Sequence, residues 1–329
     1  MNPSPKNLTA RPVVVTGGAG FIGSHLVERL LAQGKPVIVI DDMSTGTLEN
    51  LKAVRAHPGL KVIESKVSNV GNLAKVIANA ESVYHLAAGV GVELVVNSPI
   101  RVLQTNLHET EVLLEAAATC GVPVLLTSTS EVYGKSQKPG FSEEDDLLIG
   151  PPHQARWGYA CSKLMDEFLA MAYAKERSLP VIIVRLFNTV GPRQTGRYGM
   201  VLPRFIAAAA SGQPLRVYGD GLQTRCFCYV TDVIDALLRL QSCPAAQGQV
   251  FNVGSTEEVT ILELAQRVIG ILGSQSTIEM VAYNKAYAPG FDDMRRRKPV
   301  IEKLAKTTGF KPGIALDDII KQTAAQLRS

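Results

Sequence analysis

The stretch from Pro12 to Leu31 constrains the fold more than any other part of the chain. Pro12-Val13-Val14-Val15-Thr16 is a short apolar, β-branched run of the kind that fills a fully buried strand. It passes through Gly17-Gly18-Ala19-Gly20-Phe21-Ile22-Gly23 into Ser24-His25-Leu26-Val27-Glu28-Arg29-Leu30-Leu31, whose apolar positions recur at helical spacing. Strand, glycine turn and helix in that order make a dinucleotide-binding unit. Gly17 permits the tight turn, Gly20 lets the backbone approach a pyrophosphate, and Gly23 lets helix and strand pack closely. The first turn of the helix offers its N–H groups and the positive end of its dipole to the phosphates. The next apolar run, Pro36-Val37-Ile38-Val39-Ile40, ends at Asp41, eighteen residues beyond Gly23. A carboxylate there accepts hydrogen bonds from an adenosine ribose and repels a 2′-phosphate, so the expected cofactor is NAD and not NADP.

Further buried strands are expected at 60–63, 82–86, 122–127 and 180–186, with helices near 70–79 and 102–119. This alternation implies an α/β fold built on a doubly wound parallel sheet, whose ligands sit beyond the carboxyl ends of the strands. Ala87-Ala88-Gly89 and Ser128-Thr129-Ser130-Glu131 fall at such ends. From about residue 190 the alternation gives way to shorter elements, with helices expected at 259–273 and 315–327, the latter carrying Asp317 and Asp318 in its first turn. The chain has 329 residues, 46% of them hydrophobic, enough for a sizeable core.

The 34 basic residues nearly balance the 30 acidic ones and are scattered along the chain, which argues against a nucleic-acid-binding face. The five cysteines lack the paired spacing of a zinc site or a disulfide framework. Reduced core thiols and no metal are expected. No run approaches the roughly eighteen apolar residues of a membrane span. Residues 1–10 are polar with two prolines, a loose tail without the apolar region of a signal peptide. A cytoplasmic protein without a membrane partner is expected.

Tyr159 and Lys163, in Tyr159-Ala160-Cys161-Ser162-Lys163, lie one turn apart on one face of an expected helix, so phenol and ammonium can reach one reacting atom, an arrangement suited to proton transfer. The polar, proline-bearing stretch 139–154 reads as a loop that delivers Tyr159 to the crevice. Arg193, Arg197, Arg204, Arg216 and Arg225 follow, and a guanidinium fork is the usual partner of a phosphate. Arg225 stands out because Gln223-Thr224-Arg225 leads into an apolar strand.

Together these residues resemble the extended short-chain dehydrogenase/reductases that modify nucleotide sugars. The resemblance rests on Thr16 to Gly23, His85-Leu86-Ala87-Ala88, Ser128 to Gly134, Tyr159 to Lys163, Arg185-Leu186-Phe187-Asn188, Gly191-Pro192-Arg193, Val217 to Gly221 with Arg225, and Arg295-Arg296-Arg297-Lys298-Pro299. It implies an NAD-binding Rossmann domain over 1–188, to which a segment near 225–254 returns, and a smaller C-terminal α/β domain over 189–329 that holds the nucleoside diphosphate of a UDP-sugar. It also implies that Tyr159 is the base, that Lys163 lowers its pKa and binds the nicotinamide ribose, and that Thr129 bonds the sugar hydroxyl. Gly17, Gly20, Phe21, Ile22, Gly23, Asp41, Leu86, Ala87, Ala88 and Asn106 would line the cofactor. Gly89, Val90, Thr129, Asn188, Arg193, Val201, Arg216, Arg225 and Arg295 would line the substrate. A homodimer is implied, pairing the helix of Tyr159 with the helix near 102–119. One departure concerns adenine: Lys66 stands where the family usually has an aspartate.

A 4-keto sugar is the intermediate such enzymes share. Members resembling 4,6-dehydratases carry an Asp-Glu pair after the threonine, and here the pair is Ser130-Glu131, which disfavours dehydration. Ser130, Glu131 and the Arg-Lys-Pro run look like UDP-glucuronate decarboxylases, where a serine, a glutamate and an arginine surround the carboxylate. The surroundings of Tyr159, and the run from Asn188 to Met200, look more like the 4-epimerases, including UDP-glucuronate 4-epimerases. The sequence therefore tips towards a UDP-sugar 4-epimerase, with Glu131 held off by hydrogen bonds and Thr129 and Ser130 fixing the sugar. The alternatives are UDP-glucuronate decarboxylase and, less favoured because Thr129, Tyr159 and Lys163 are all present, a non-catalytic NAD-binding sensor.

Overall fold

The computed structural model describes residues 10–89, 98–194, 200–282 and 294–326. The expected tail over 1–9, Val90, Arg197 and the last residue of the expected helix 315–327 lie outside the described residues. The first half runs β1 (Val13–Thr16), α1 (Phe21–Ala32), β2 (Val37–Asp41), β3 (Leu60–Glu64), α2 (Leu73–Ala78), β4 (Ser82–His85), α3 (Pro99–Cys120), β5 (Val124–Thr129), α4 (Ala155–Arg177) and β6 (Val181–Leu186). The second runs β7 (Thr189–Val190), α5 (Val201–Ala210), β8 (Leu215–Tyr218), β9 (Thr224–Cys226), β10 (Cys228–Tyr229), α6 (Val230–Gln241), β11 (Gln249–Val253), β12 (Glu258–Thr260), α7 (Ile261–Leu272), β13 (Ile278–Val281), α8 (Glu302–Thr308) and α9 (Leu316–Gln326).

Seven strands form one parallel Rossmann sheet in the order β11-β6-β5-β4-β1-β2-β3. The chain leaves β1 towards β2 and β3, then returns on its other side as β4. That reversal opens a crevice beyond the carboxyl ends of β1 and β4. The apolar runs are continuous because both faces are covered. On one face Leu26, Val27 and Leu30 of α1 pack with Val233, Ile234 and Leu237 of α6. On the other, Leu113, Leu114 and Ala117 of α3 and Ala170 of α4 cover Val14, Val83, Leu126 and Ile183. Each such valine, leucine or isoleucine contributes about 1.5–3 kcal/mol by burial.

Two elements differ from the sequence reading. α2 begins only at Leu73, because Asn72 sits in the left-handed region at φ 58°. β5 extends to Thr129 although its last three residues are polar; they stay buried because Thr127 donates to the His85 carbonyl and Ser128 donates to Glu167.

Beyond β6 a second core forms from Leu202, Phe205 and Ile206 of α5, Leu264 and Val268 of α7, and Ile319 and Ile320 of α9. α7 starts where Thr260 Oγ1 accepts from the Glu263 amide and stops at the left-handed Gly273. A smaller cluster of Val132, Tyr133, Phe141, Trp157, Phe187 and Met294 joins the loop over 139–154 to the segment before α8. Phe141 pairs there with Pro299 in an isolated bridge, which sets Arg297 beside the turn after β5. Cys226 and Cys228, either side of Phe227, are buried free thiols. No helix among the described residues is long and apolar enough to cross a membrane.

Candidate active site

At the end of β1, Gly17 takes φ +69°, and a Cβ on it would stand 2.8 Å from the Ala87 nitrogen. A Cβ on Gly23 would stand 2.1 Å from the Gly17 carbonyl oxygen. Only glycine permits either approach. Gly20 precedes α1 without any side-chain cap, so no side chain competes for the amides of the first turn, which Phe21 and Ile22 begin. Asp41, buried at the end of β2, accepts from the amides of Ala19 and Met43, each at 2.9 Å. Burial pushes its carboxyl up, and those amides pull it back. A glycine cradle with an acid at its mouth fits the pyrophosphate and ribose of NAD. Leu86, Ala87, Ala88 and Gly89 follow β4 across the same crevice. Asn106 accepts from the Gly89 amide at 2.7 Å and donates to Ser162 at 3.2 Å, so its side chain ties that loop to α4. Lys66 lines an open cleft with Ser98, Pro99, Arg101 and Thr105 at the start of α3.

The residues expected to react assemble where β5 ends against α4. Thr129 closes β5, its hydroxyl accepting from the Glu131 amide at 3.2 Å, and it hydrogen-bonds the Tyr159 phenol. Burial pushes the phenol above its ordinary value, the Glu131 and Asp166 carboxylates add to the rise, and Arg297 and Thr129 oppose it. One turn along α4, the buried Lys163 ammonium donates to Asp166 Oδ2 at 2.8 Å. Ser130 is fully buried, with no hydrogen-bond partner for its hydroxyl among the described residues. Glu131 lies between two guanidinium groups, accepting from Arg297 Nη1 at 3.2 Å and standing 3.6 Å from Arg156 Nε.

Thr129, Ser130, Glu131, Tyr159 and Lys163 thus meet in one place. The expected substrate residues do so unevenly. Arg225 lies buried on β9, where it donates to the Thr224 carbonyl at 2.8 Å. Asn188 spends its amide on the Cys226 carbonyl at 2.9 Å, and Val201 opens α5. Arg193, with φ 67°, is turned onto α1, where it holds Ser24 and Glu28 at 3.1 and 2.6 Å. Arg216 is exposed and paired across strands with Glu279, and Arg295 holds both oxygens of Asp220 at 2.8 Å. Sequence reasoning chose Arg295 from the basic run, whereas the Phe141–Pro299 bridge brings Arg297 to Glu131. It also passed over Arg156, whose position three residues before Tyr159 on the same helix was a usable signal, and Asp166, three after Lys163.

A glycine cradle, a buried acid and a Thr-Tyr-Lys set at the switch point of a parallel sheet define an enzyme that works on a dinucleotide, and the chain belongs to the NAD dependent epimerase/dehydratase family, whose model matches residues 13–254. Its cofactor is NAD. Among relatives, it is 39% identical over 316 residues to a UDP-N-acetyl-alpha-D-glucosaminuronate decarboxylase of Bacillus cytotoxicus, covering 96% of this chain and 97% of that one. It is 35% identical over 315 residues to UDP-glucuronic acid decarboxylase 6 of Arabidopsis thaliana, covering 92% and 85%. Among solved structures, it resembles the UDP-glucuronic acid 4-epimerase of Bacillus cereus in complex with UDP-glucuronic acid and NAD, with TM-score 0.86, 29% identity and coverage of 96% and 99%.

Proposed function

We propose that this enzyme decarboxylates a UDP-hexuronate through a 4-keto intermediate, which moves the reading from the epimerase favoured by sequence to its decarboxylase alternative. The observation that carries it is the Glu131–Arg297 pair, which stands close enough to Tyr159 for both charges to act on the phenol. The names of the curated relatives support the same choice.

The chemistry that bound NAD supplies is removal and return of one hydride at C4. Tyr159, as phenolate, takes the proton of the C4 hydroxyl while Thr129 holds that hydroxyl in line, and Lys163 supplies the positive charge that favours phenolate. The C5 carboxylate of the resulting 4-keto sugar is β to a ketone. Its bond to C5 breaks when held perpendicular to the carbonyl plane; the electron pair passes into the C4 enolate and carbon dioxide leaves. C5 then takes a proton that comes from solvent water, and Tyr159 returns its own to the C4 oxygen as the alcohol is restored. Arg297 and Arg156 draw the carboxylate in, while Glu131 repels it and favours departure as a neutral molecule. An epimerase acting on a uronate would need to avoid that juxtaposition. In this reading residues 1–188, with a returning segment, hold NAD, and the later residues hold the UDP group with Arg225 among its contacts.

The enzyme is read as a homodimer. Ile100 and Leu103 of α3 and Met165 and Phe168 of α4 form an exposed apolar stripe, a second copy of which is its natural cover. Incubation with UDP-glucuronate and with its 2-acetamido analogue, followed by product NMR and carbon dioxide capture, tests the chemistry. A UDP-pentose with stoichiometric carbon dioxide is expected from one of them. UDP-galacturonate without carbon dioxide restores the epimerase, and turnover of UDP-glucose alone moves the substrate to a neutral hexose.

A further inference from the structure

A buried polar chain runs from the cofactor crevice to Lys163, and nothing in the mechanism above uses it. It starts at the Ala87 amide, which donates to Thr16 Oγ1 at 3.3 Å. Thr16 Oγ1 lies 2.7 Å from His85 Nδ1, and His85 Nε2 lies 3.1 Å from Thr110 Oγ1 on α3. The Thr110 hydroxyl stands close enough to Asp166 on α4 to favour its anion, short of an ordinary hydrogen bond to Oδ1. Asp166 Oδ2 accepts from Lys163 Nζ at 2.8 Å. Thr16, His85, Thr110, Lys163 and Asp166 are all buried.

Burial pushes His85 down to about 3, so the imidazole is neutral and carries one N–H. One proton assignment gives every member a role: Thr16 donates to Nδ1, Nε2–H donates to the Thr110 oxygen, and Thr110 turns its own O–H towards Asp166. The donors then all point one way, from the loop that follows β4 to the carboxylate that holds the lysine. Asp166 is the costly member. Burial pushes its carboxyl up, Lys163 and then Thr110 pull it back, and Glu167 opposes them. Tyr159 also feels the Asp166 charge, together with those of Glu131 and Arg297, and the buried His85 feels that of Lys163. A carboxylate kept fully buried at such cost is held for what it does to its neighbour.

We propose that Asp166 is a positioning residue which fixes the Lys163 ammonium for the cofactor ribose, and that Thr110, His85 and Thr16 tie it to the loop that cradles the cofactor. The proposal rests on the reading of Lys163 as the ribose ligand and Tyr159 as the base, and is independent of which sugar is the substrate.

The test is NAD affinity of the full chain, measured by calorimetry after cofactor removal, for Asp166→Asn, Lys163→Met and the double variant. Asp166→Asn is expected to weaken NAD roughly tenfold, the size of a lost charge-assisted hydrogen bond. In the double variant the losses should not add, because the carboxylate acts through the lysine. Additive losses, or NAD affinity unchanged in Asp166→Asn, overturn the proposal. Should Asp166→Asn fail to fold, Thr110→Val decides: it keeps the ion pair but cuts the tie, and weaker NAD binding than wild type supports the proposal, whereas wild-type affinity overturns it. Because the readout is cofactor binding, failure here leaves the decarboxylase reading standing, and failure of that reading leaves this result interpretable.

Discussion

Arg297 is the residue on which the electrostatics of the site turn. In the proposed mechanism Tyr159 acts as phenolate, yet burial and the Glu131 carboxylate push its phenol up, and Arg297 is the leading opposing charge. Activity must therefore fall as pH drops, and the fall begins at higher pH the higher the phenol is pushed. Arg297→Met removes the opposing charge, so the acid limb of the turnover profile should move to higher pH. The same change should lower kcat/KM for a UDP-uronate on the order of tenfold or more through loss of a charge-assisted contact. A rate profile superimposable on that of the wild type would take Arg297 out of the site. Local spacing made Gly17, Gly20, Gly23, Asp41, Tyr159 and Lys163 stand out as candidates in the sequence, since each lies within one strand–turn–helix–strand unit or one helical turn. Arg297 was not, because its partner Glu131 is 166 residues away and the basic run offered three candidates.

At the scale of elements, the crevice exists because α1 starts against the end of β1 with no atoms to spare. Gly23→Ala places a methyl 2.1 Å from the Gly17 carbonyl and 2.8 Å from Gly18 Cα, both backbone, so the turn must move. The expected result is protein purified without NAD and destabilised by about 1–3 kcal/mol, read from cofactor content and denaturant unfolding. Full cofactor occupancy in this variant would show that the turn does not depend on that approach. Element ends came within two residues of the sequence reading where a cap or a left-handed glycine marks them, as at Thr260 and Gly273. They did not where conformation and tertiary bonds decided, as at Asn72 and at the polar end of β5.

At the scale of the whole molecule, α3 and α4 pack side by side over the sheet and leave Ile100, Leu103, Met165 and Phe168 facing outward. Phe168→Glu, at a side chain 64% exposed, should leave the monomer fold intact and place like charges across a two-fold contact. Light scattering at micromolar concentration is expected to report a dimer for the wild type and a monomer for the variant; equal masses would place the interface elsewhere. The interior is tied together by Arg185, whose guanidinium forks onto Glu167 of α4 at 2.8–3.2 Å and reaches the Tyr133 hydroxyl at 3.0 Å, while that hydroxyl donates to Asn252 of β11. Periodicity could place Arg185 on a buried strand but not name its partners. By itself the sequence determined the parallel α/β sheet, the dinucleotide turn and the Tyr-Lys helix, because buried strands, glycine turns and helical faces each write a local pattern. Only the tertiary structure decided which arginine meets Glu131, that Arg193 turns to α1, and that Asp166 holds the lysine. Those choices depend on how distant segments pack, and charge pairing carries no signature along the chain.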